Sequence, residues 1–314
     1  MTCIKCQHGT AKRFGYYGPR RIQRFRCYSC KATFSETRPK PLAGHYISVE
    51  KAAQIINLMV EGMSVRAIAR ITGADKNTIL SLLLTVGEKC RRISNMRVCG
   101  IRPTYVQLDE LWNFVYCKGK NAPLDGPPEW GDAYTWIALD SETKLIISYL
   151  VGKRDPATAD EFVGDLRSRI TARCQVTSDG FGTYIPAMER HFGADADFAQ
   201  LVKVYSTPEN VGRERYSPGE VVNAIPTPIS GNPDLDYVST SHVERANLSV
   251  RMHLRRFTRL TNGFSKKLSH LKAAVDVYMA WYNLCRYHQS IKMTPAMAAG
   301  ITNHIWELPE LLSA

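Results

Sequence analysis

Hydrophobic positions along the chain change their period twice, and each change marks a new kind of element. Up to about residue 40, aromatic and β-branched residues flank Gly15, Gly18 and Pro19, a pattern that predicts a short hairpin. From about residue 47 to 98 the period becomes helical. Ala52, Ile55, Ile56, Met59 and Val60 share one face of a first helix that ends at Gly62. Ser64 caps a short helix, Val65–Thr72, Gly73 turns the chain, and Asp75 caps another helix running to Leu84. Ala67, Ile68, Ile71, Ile79 and Leu82 are the expected inward positions. Residues 88–103 look like a basic linker ending at Pro103.

Beyond residue 104 the pattern predicts strands. TYVQLDELWNFVY, AYTWIALD and KLIISYLVG are expected to form a three-strand meander, broken by a Gly/Pro-rich loop and a polar turn. An amphipathic helix, ATADEFVGDLRSRI, follows. Then come a buried strand, CQVTSDG, a helical stretch to about Phe192, and a fifth strand, FAQLVKVY. A helix beginning SHVER, and a long helix over residues 265–288 with Leu271, Val275, Tyr278, Trp281 and Tyr282 on its apolar side, complete the chain. The order β-β-β-α-β-α-β-α is that of an α/β, ribonuclease-H-like mixed sheet. Three segments are therefore expected: a small ribbon at 1–40, an all-α helix-turn-helix at 47–98, and a catalytic-type domain at 104–314. The Pro-, Gly- and Asn-rich stretch 206–240 reads as an insertion bordering a cleft.

Length and composition fit this division. The 314 residues are 44% hydrophobic and 22% charged, which suits a folded globular chain. No run of 18 apolar residues predicts a membrane span, and the first residues lack a signal-peptide core, so a cytoplasmic protein without a membrane partner is expected. Charge adds something the periods do not. Residues 1–103 hold 19 Lys/Arg against 5 Asp/Glu, whereas the remainder holds 22 against 24. A first third this basic predicts a polyanionic partner, with nucleic acid the commonest. Lys76, Asn77, Thr78 and Ser81, at the start of the second short helix, lie where major-groove contacts are usually made.

Two C-x-x-C pairs, Cys3/Cys6 and Cys27/Cys30, have the spacing of a four-thiolate structural Zn²⁺ site, with His8 as an alternative ligand for one sulfur. With four protein ligands no position is left open for chemistry. Arg13, Arg20, Arg21, Arg24 and Arg26 surround the ribbon and could contact phosphates. In the last segment, Asp109 lies inside the first strand, Asp179 ends the fourth, and Glu244 begins a helix. Carboxylate oxygens suit hard divalent cations, and two Mg²⁺ ions about 3.5–4 Å apart can drive phosphodiester chemistry, with Mn²⁺ as substitute. Glu110 is set aside because alternation turns it to the other face of the strand. Asp140 is a reserve ligand, and Asp179 has a plain reading as a turn residue. Glu244 has a plain reading too: Ser241–Glu244 matches a capping box. Residues 241–272 carry eight Lys/Arg, among them Arg245, Arg251, Arg255, Arg256, Lys266 and Lys267, against the single acid Glu244. That imbalance suits phosphate contacts beside a metal-binding acid.

These residues resemble bacterial insertion-sequence transposases of the InsA–InsB type, joined in one reading frame. The resemblance rests on QRFRCYSC (Gln23–Cys30), RAIARITG with NTIL (Arg66–Leu80), TSDG (Thr177–Gly180), VERANLSVR (Val243–Arg251) and FSKK (Phe264–Lys267). The ending YNLCRYHQS with TPAMAAG (Tyr282–Gly300) is similar to the tail of many DDE transposases and integrases. The resemblance implies a DDE enzyme in which Asp109, Asp179 and Glu244 bind Mg²⁺, water nicks the element ends, and the freed 3′-OH attacks target DNA. It also implies double-stranded DNA as partner, at least a homodimer, and a bacterial, nucleoid-associated location. A DNA-binding regulator on an inactive nuclease-like domain, or a nuclease that cuts without joining, are the competing readings.

Overall fold

The structure is a computed structural model of the chain and describes residues 2–19, 21–35, 42, 44–205 and 221–314. Arg20, the last residues of the expected ribbon (36–40) and residues 206–220 of the expected insertion lie outside the described residues. The chain divides into two compact units, residues 1–44 and 45–314.

The first unit is a three-stranded antiparallel meander of β1 (Ala11–Tyr17), β2 (Ile22–Cys27) and β3 (Thr33–Ser35), in the order β1-β2-β3. Its core is very small. Ala11, Phe25 and Phe34 pack beside Cys3 and Cys27, with the two phenyl rings 5.9 Å apart.

The second unit opens with three helices, α1 (Val49–Val60), α2 (Val65–Thr72) and α3 (Lys76–Arg97). Each begins where a side chain can accept an otherwise unpaired N–H. Ser48 accepts from Lys51, Ser64 from Ala67 and Asp75 from Asn77. Gly73 takes the left-handed conformation (φ 68°) that closes α2. Ile68, Ile79 and Leu82 are buried as expected, but Ile71 is exposed. The expected basic linker is also corrected: residues 88–97 are the last turns of α3, which buries Cys90, Ile93 and Ser94.

A six-stranded mixed sheet follows, in the order β6-β5-β4-β7-β8-β9. Its strands are β4 (Tyr105–Val115), β5 (Gly131–Asp140), β6 (Ile146–Gly152), β7 (Cys174–Asp179), β8 (Ala196–Tyr205) and β9 (Val221–Ser230). The β4–β7 and β7–β8 pairs are parallel, and the others antiparallel. The two parallel connections run through α4 (Pro156–Arg169) and α5 (Tyr184–His191). These helices bury Phe162, Leu166 and Met188 against Leu108, Trp136 and Val176 of the sheet. The strand β9 replaces part of the expected 206–240 loop. Its Pro226 and Pro228 fit an outermost strand, where an N–H facing solvent is not needed.

The other face of the sheet carries α6 (Ser241–His253) and α7 (Leu268–Leu284), with the short α8 (Pro295–Ala298) and α9 (Leu308–Ser313) at the end. Leu271, Val275, Tyr278, Trp281 and Tyr282 of α7 are buried, as their spacing suggests. Asn283 fixes α7 to β6 by hydrogen bonds with both backbone groups of Ile146. The crossing of α3 over α7 explains why the three N-terminal helices share a unit with the sheet. At Gly87 an added Cβ would stand 2.6 Å from the Ala273 Cβ and 2.9 Å from its carbonyl oxygen. Gly87→Val should therefore force these helices apart and cost about 1–3 kcal/mol, read as a lower melting temperature of the second unit.

Candidate functional site

In the first unit the four sulfurs of Cys3, Cys6, Cys27 and Cys30 all lie within 4.8 Å of one another. Cys3 and Cys30 are 3.6 Å apart, as are Cys6 and Cys27. A tetrahedron with Zn–S arms of about 2.3 Å has edges of about 3.8 Å, so the cluster fits a Zn²⁺ ion. Gln7 (φ 58°) and Lys31 (φ 60°), each directly after a C-x-x-C, take left-handed turns that curl the backbone around the sulfurs. Donation from the Cys30 backbone N–H holds the Cys27 thiol down at about 6. The alternative ligand His8 bonds the Cys6 carbonyl oxygen instead.

The second cluster sits where the sheet opens. The strand β7 pairs with β4 only along Tyr105–Gln107, while β4 continues to Val115 against β5, meeting Ser265 on its other side only at Val115. The chain beyond Gln107 thus borders a gap at the C-terminal ends of two parallel strands, where ligands of α/β sheets collect. Asp109, Glu110 and Asp179 meet there, with one carboxylate oxygen of each within 4.8 Å of the others. Asp109 Oδ1 accepts the Glu110 N–H at 2.9 Å, and Asp109 Oδ2 accepts from Asn247 Nδ2 at 2.7 Å. Asp179 Oδ1 accepts the Phe181 N–H at 3.0 Å, which folds the turn after β7 around the carboxylate.

Glu110 is the acid that the alternation argument set aside. Its side chain does leave β4 on the α4/α5 face, yet the missing strand neighbour lets its carboxylate reach around to the other two. The Glu110 side chain is only 2% exposed, and Arg154 Nε donates to it at 3.0 Å. Arg154 also stands 3.7 Å from Asp179 and lies over the Phe181 ring at 3.8 Å. The buried Tyr184 hydroxyl lies beside the Glu110 carboxylate and interacts with it, from the side of α5. Nothing in the local sequence marks Arg154; its role follows from the β6–α4 junction lying beside the gap.

Arg154 pairs with Glu110 and Asp179 only, and Asp109 has no ion pair among the described residues. Burial, then the charges of Glu110, Asp179 and Glu244, push Asp109 up to about 7. Three carboxylates crowded into one poorly solvated gap fit a hard divalent cation such as Mg²⁺ or Mn²⁺. A consequence for stability follows with a definite sign. A carboxyl that binds its proton more tightly when folded loses stability as pH rises from its unfolded value near 4 to about 7. Without metal, Asp109→Asn should therefore melt at a higher temperature than the parent at pH 8 and show no such gain at pH 4. Thermal melts in EDTA at the two pH values measure this.

Glu244 lies outside the group of three, although its charge acts on Asp109. Its carboxylate accepts from the Thr240 hydroxyl at 2.5 Å and pairs with Lys203 of β8. Glu244 is not a capping-box acid, because the Ser241 N–H donates to Ser239 Oγ instead. The first turn of α6 is anchored from β4: Gln107 Oε1 accepts the N–H groups of both His242 and Val243. Asn247, one turn after Glu244, then reaches Asp109. Its own carbonyl oxygen is enclosed and unpartnered. The FSKK segment is stitched to the far end of β4, where Tyr116 N–H donates to the Ser265 carbonyl at 2.9 Å. Arg256 donates to Ser265 Oγ at 2.9 Å, and burial pushes Arg256 down to about 10. Asp140, the reserve ligand, is occupied by its own turn, accepting from Thr143 Oγ1 and the Glu142 N–H.

Of the residues expected at DNA, Lys76, Asn77 and Ser81 are exposed and Thr78 is half-buried on the first turns of α3. Arg245, Lys266 and Lys267 are exposed, whereas Arg251, Arg255 and Arg256 are half-buried. Among the described residues, none of these cations is in an ion pair.

Fold and site together define a carboxylate centre at the open end of a mixed sheet, in a chain with a separate four-cysteine unit. Among solved structures the chain is similar to a piggyBac transposase in a synaptic complex with hairpin DNA, at 11% identity and a TM-score of 0.40. The match covers 84% of this chain and 69% of that one. No protein-family model and no curated protein matches the chain. No helix among the described residues is long and apolar enough to cross a membrane.

Proposed function

We propose that the chain is a DDE-type transposase of the InsA–InsB kind that binds insertion-sequence ends and carries out Mg²⁺-dependent strand cleavage and strand transfer. The observation that carries this reading is the convergence of Asp109 and Asp179, from strands far apart in sequence, at one gap beside the helix bearing Glu244. The ribonuclease-H-like reading of the sheet is supported by its order: three antiparallel strands, then two parallel ones added beside the first. The helix-turn-helix reading of residues 47–98 is supported by two capped helices around Gly73. The zinc-ribbon reading of residues 1–40 is supported by the sulfur geometry.

In this reading Asp109, Asp179 and Glu244 hold the metal, and Glu110 adds a fourth carboxylate at its edge. Divalent ions there supply a lowered pKa for the attacking water or 3′-hydroxyl and charge stabilisation for the leaving oxygen. Asn247 fixes the rotamer of Asp109. Glu244, held by Lys203 in this structure, would leave it to join the two aspartates at the metal. Arg154, on its Phe181 platform, neutralises Glu110 and Asp179 while no metal is present. Arg251, Arg255, Arg256, Lys266 and Lys267 face the phosphates of the element end, and the helix-turn-helix holds the flanking duplex. Two ends joined in one reaction call for at least two copies of the chain.

A strand-transfer assay with element-end duplexes, target plasmid and Mg²⁺ or Mn²⁺ tests the proposal. Joined products are expected. Binding without any cutting would replace the transposase with a DNA-binding regulator, and cutting without joining would replace it with a nuclease. End binding should also weaken steeply with salt, since each neutralised phosphate adds about 0.9 to the log–log slope.

A further inference from the structure

The tail motif Tyr282–Ser290 has no part in the acidic centre. It lines a separate pocket of about 630 Å³ with the β5–β6 turn and the outer face of α6. The pocket brings together Lys144, His242, Arg245, Arg286 and His288, with Tyr287 beside them. The acid at its wall, Glu142, is engaged by the Thr104 hydroxyl at 2.9 Å. No carboxylate pairs with Lys144, Arg245 or Arg286 among the described residues. The Arg245 guanidinium has no hydrogen bond or ring contact among them either, and Arg286 lies over Trp281 and Tyr282 at 5.6 and 5.9 Å. Lys144 Nζ stands 3.3 Å from both ring nitrogens of His242, and Ser290 Oγ is 3.0 Å from His288 Nδ1.

The two sides of α6 thus divide the work. Glu244, Asn247 and Arg251 recur at helical spacing on the side of the acidic centre. His242, Arg245 and Ser249 recur in the same way on the opposite side. A pocket with this much unpaired positive charge and an exposed aromatic ring suits phosphodiesters of a nucleic-acid strand.

We propose that this pocket holds the phosphate backbone of the DNA strand a few nucleotides from the bond cleaved at the acidic centre. The two sites are separated by the thickness of one helix, about 10–12 Å, or about three base-pair rises of 3.4 Å along a duplex axis. The proposal rests on the reading of the chain as a DNA-processing enzyme, and it adds a phosphate site that carries no metal.

The test uses the full chain, a fluorescein-labelled 20-bp duplex and anisotropy in EDTA across a salt series. Arg245→Ala combined with Lys144→Ala should weaken binding at least tenfold at 100 mM salt. The log–log slope should become shallower by nearly two, at about 0.9 for each phosphate no longer neutralised. Arg245→Lys should keep the parental slope. The Arg245 side chain is exposed and holds nothing in place, so Arg245→Ala alone should lower the slope by about 0.9 with an unchanged melting temperature. An unchanged slope, or weaker binding at the parental slope, overturns the proposal while leaving the enzyme reading standing. A parent chain that binds no duplex at any salt overturns both.

Discussion

Asp179→Asn should leave binding of element ends intact and reduce metal-dependent strand cleavage on the order of 10³-fold or more. The variant is chosen because it keeps the local fold. Asp179 Oδ1 accepts the Phe181 N–H, and the asparagine carbonyl oxygen can accept it equally well. What disappears is the negative charge at the end of β7, beside Asp109 and Glu110. Arg154 loses one of its two acids but keeps Glu110, so the turn stays in place. Gel shifts with end duplexes and gel assays of nicking in Mg²⁺ separate the two effects. Cleavage at parental rates would remove Asp179 from the metal centre. Loss of end binding at low salt would mean that the substitution disturbs more than the charge.

Removing metal from the four cysteines should unfold residues 1–44 while residues 45–314 keep their melting transition. The first unit has almost no core besides Phe25, Phe34 and Ala11. A segment this short rarely supplies more than a few kcal/mol by burial, whereas a structural Zn²⁺ site contributes about 10–16 kcal/mol of apparent binding free energy. Chelation, or Cys27→Ser, should expose the segment to rapid proteolysis and weaken DNA binding by removing an ordered array of arginines. Limited proteolysis followed by mass spectrometry reads the outcome directly. Resistance of residues 1–44 after complete zinc removal would show that packing, not metal, holds the meander.

The sequence was most informative where one local rule acted alone. Alternation and run length located β4 to β8, since each strand is bounded by turn residues. Cys3, Cys6, Cys27 and Cys30 were legible because their spacing is itself a geometric statement. Asp109 and Asp179 could be chosen because strand ends and strand interiors can be told apart in the pattern.

Features that depend on neighbours were not legible. Glu110 joins the acids because the pairing of β7 with β4 ends at Gln107, and no property of β4 reveals where that pairing stops. Arg154 enters from a connection whose path is set by the packing of α4. The continuation of α3 to Arg97 goes with its packing onto α7, seen at Gly87 and Ala273, and the exposure of Ile71 on α2 has no local sequence signal. The strand β9 was hidden by its prolines, which suit an edge strand but resemble a loop in sequence. Glu244 shows the opposite failure: the capping-box spacing is present, but Thr240 and Lys203 take its carboxylate.

Every step of the proposed chemistry depends on a divalent cation settling between Asp109 and Asp179. Anomalous diffraction from crystals of the full chain grown with MnCl₂ tests this most directly. The expected result is manganese bonded to oxygens of both Asp109 and Asp179, with Arg154 withdrawn from Asp179 and Glu244 released from Lys203. Manganese absent from that gap at millimolar concentration, with Arg154 still bridging Glu110 and Asp179, would contradict it.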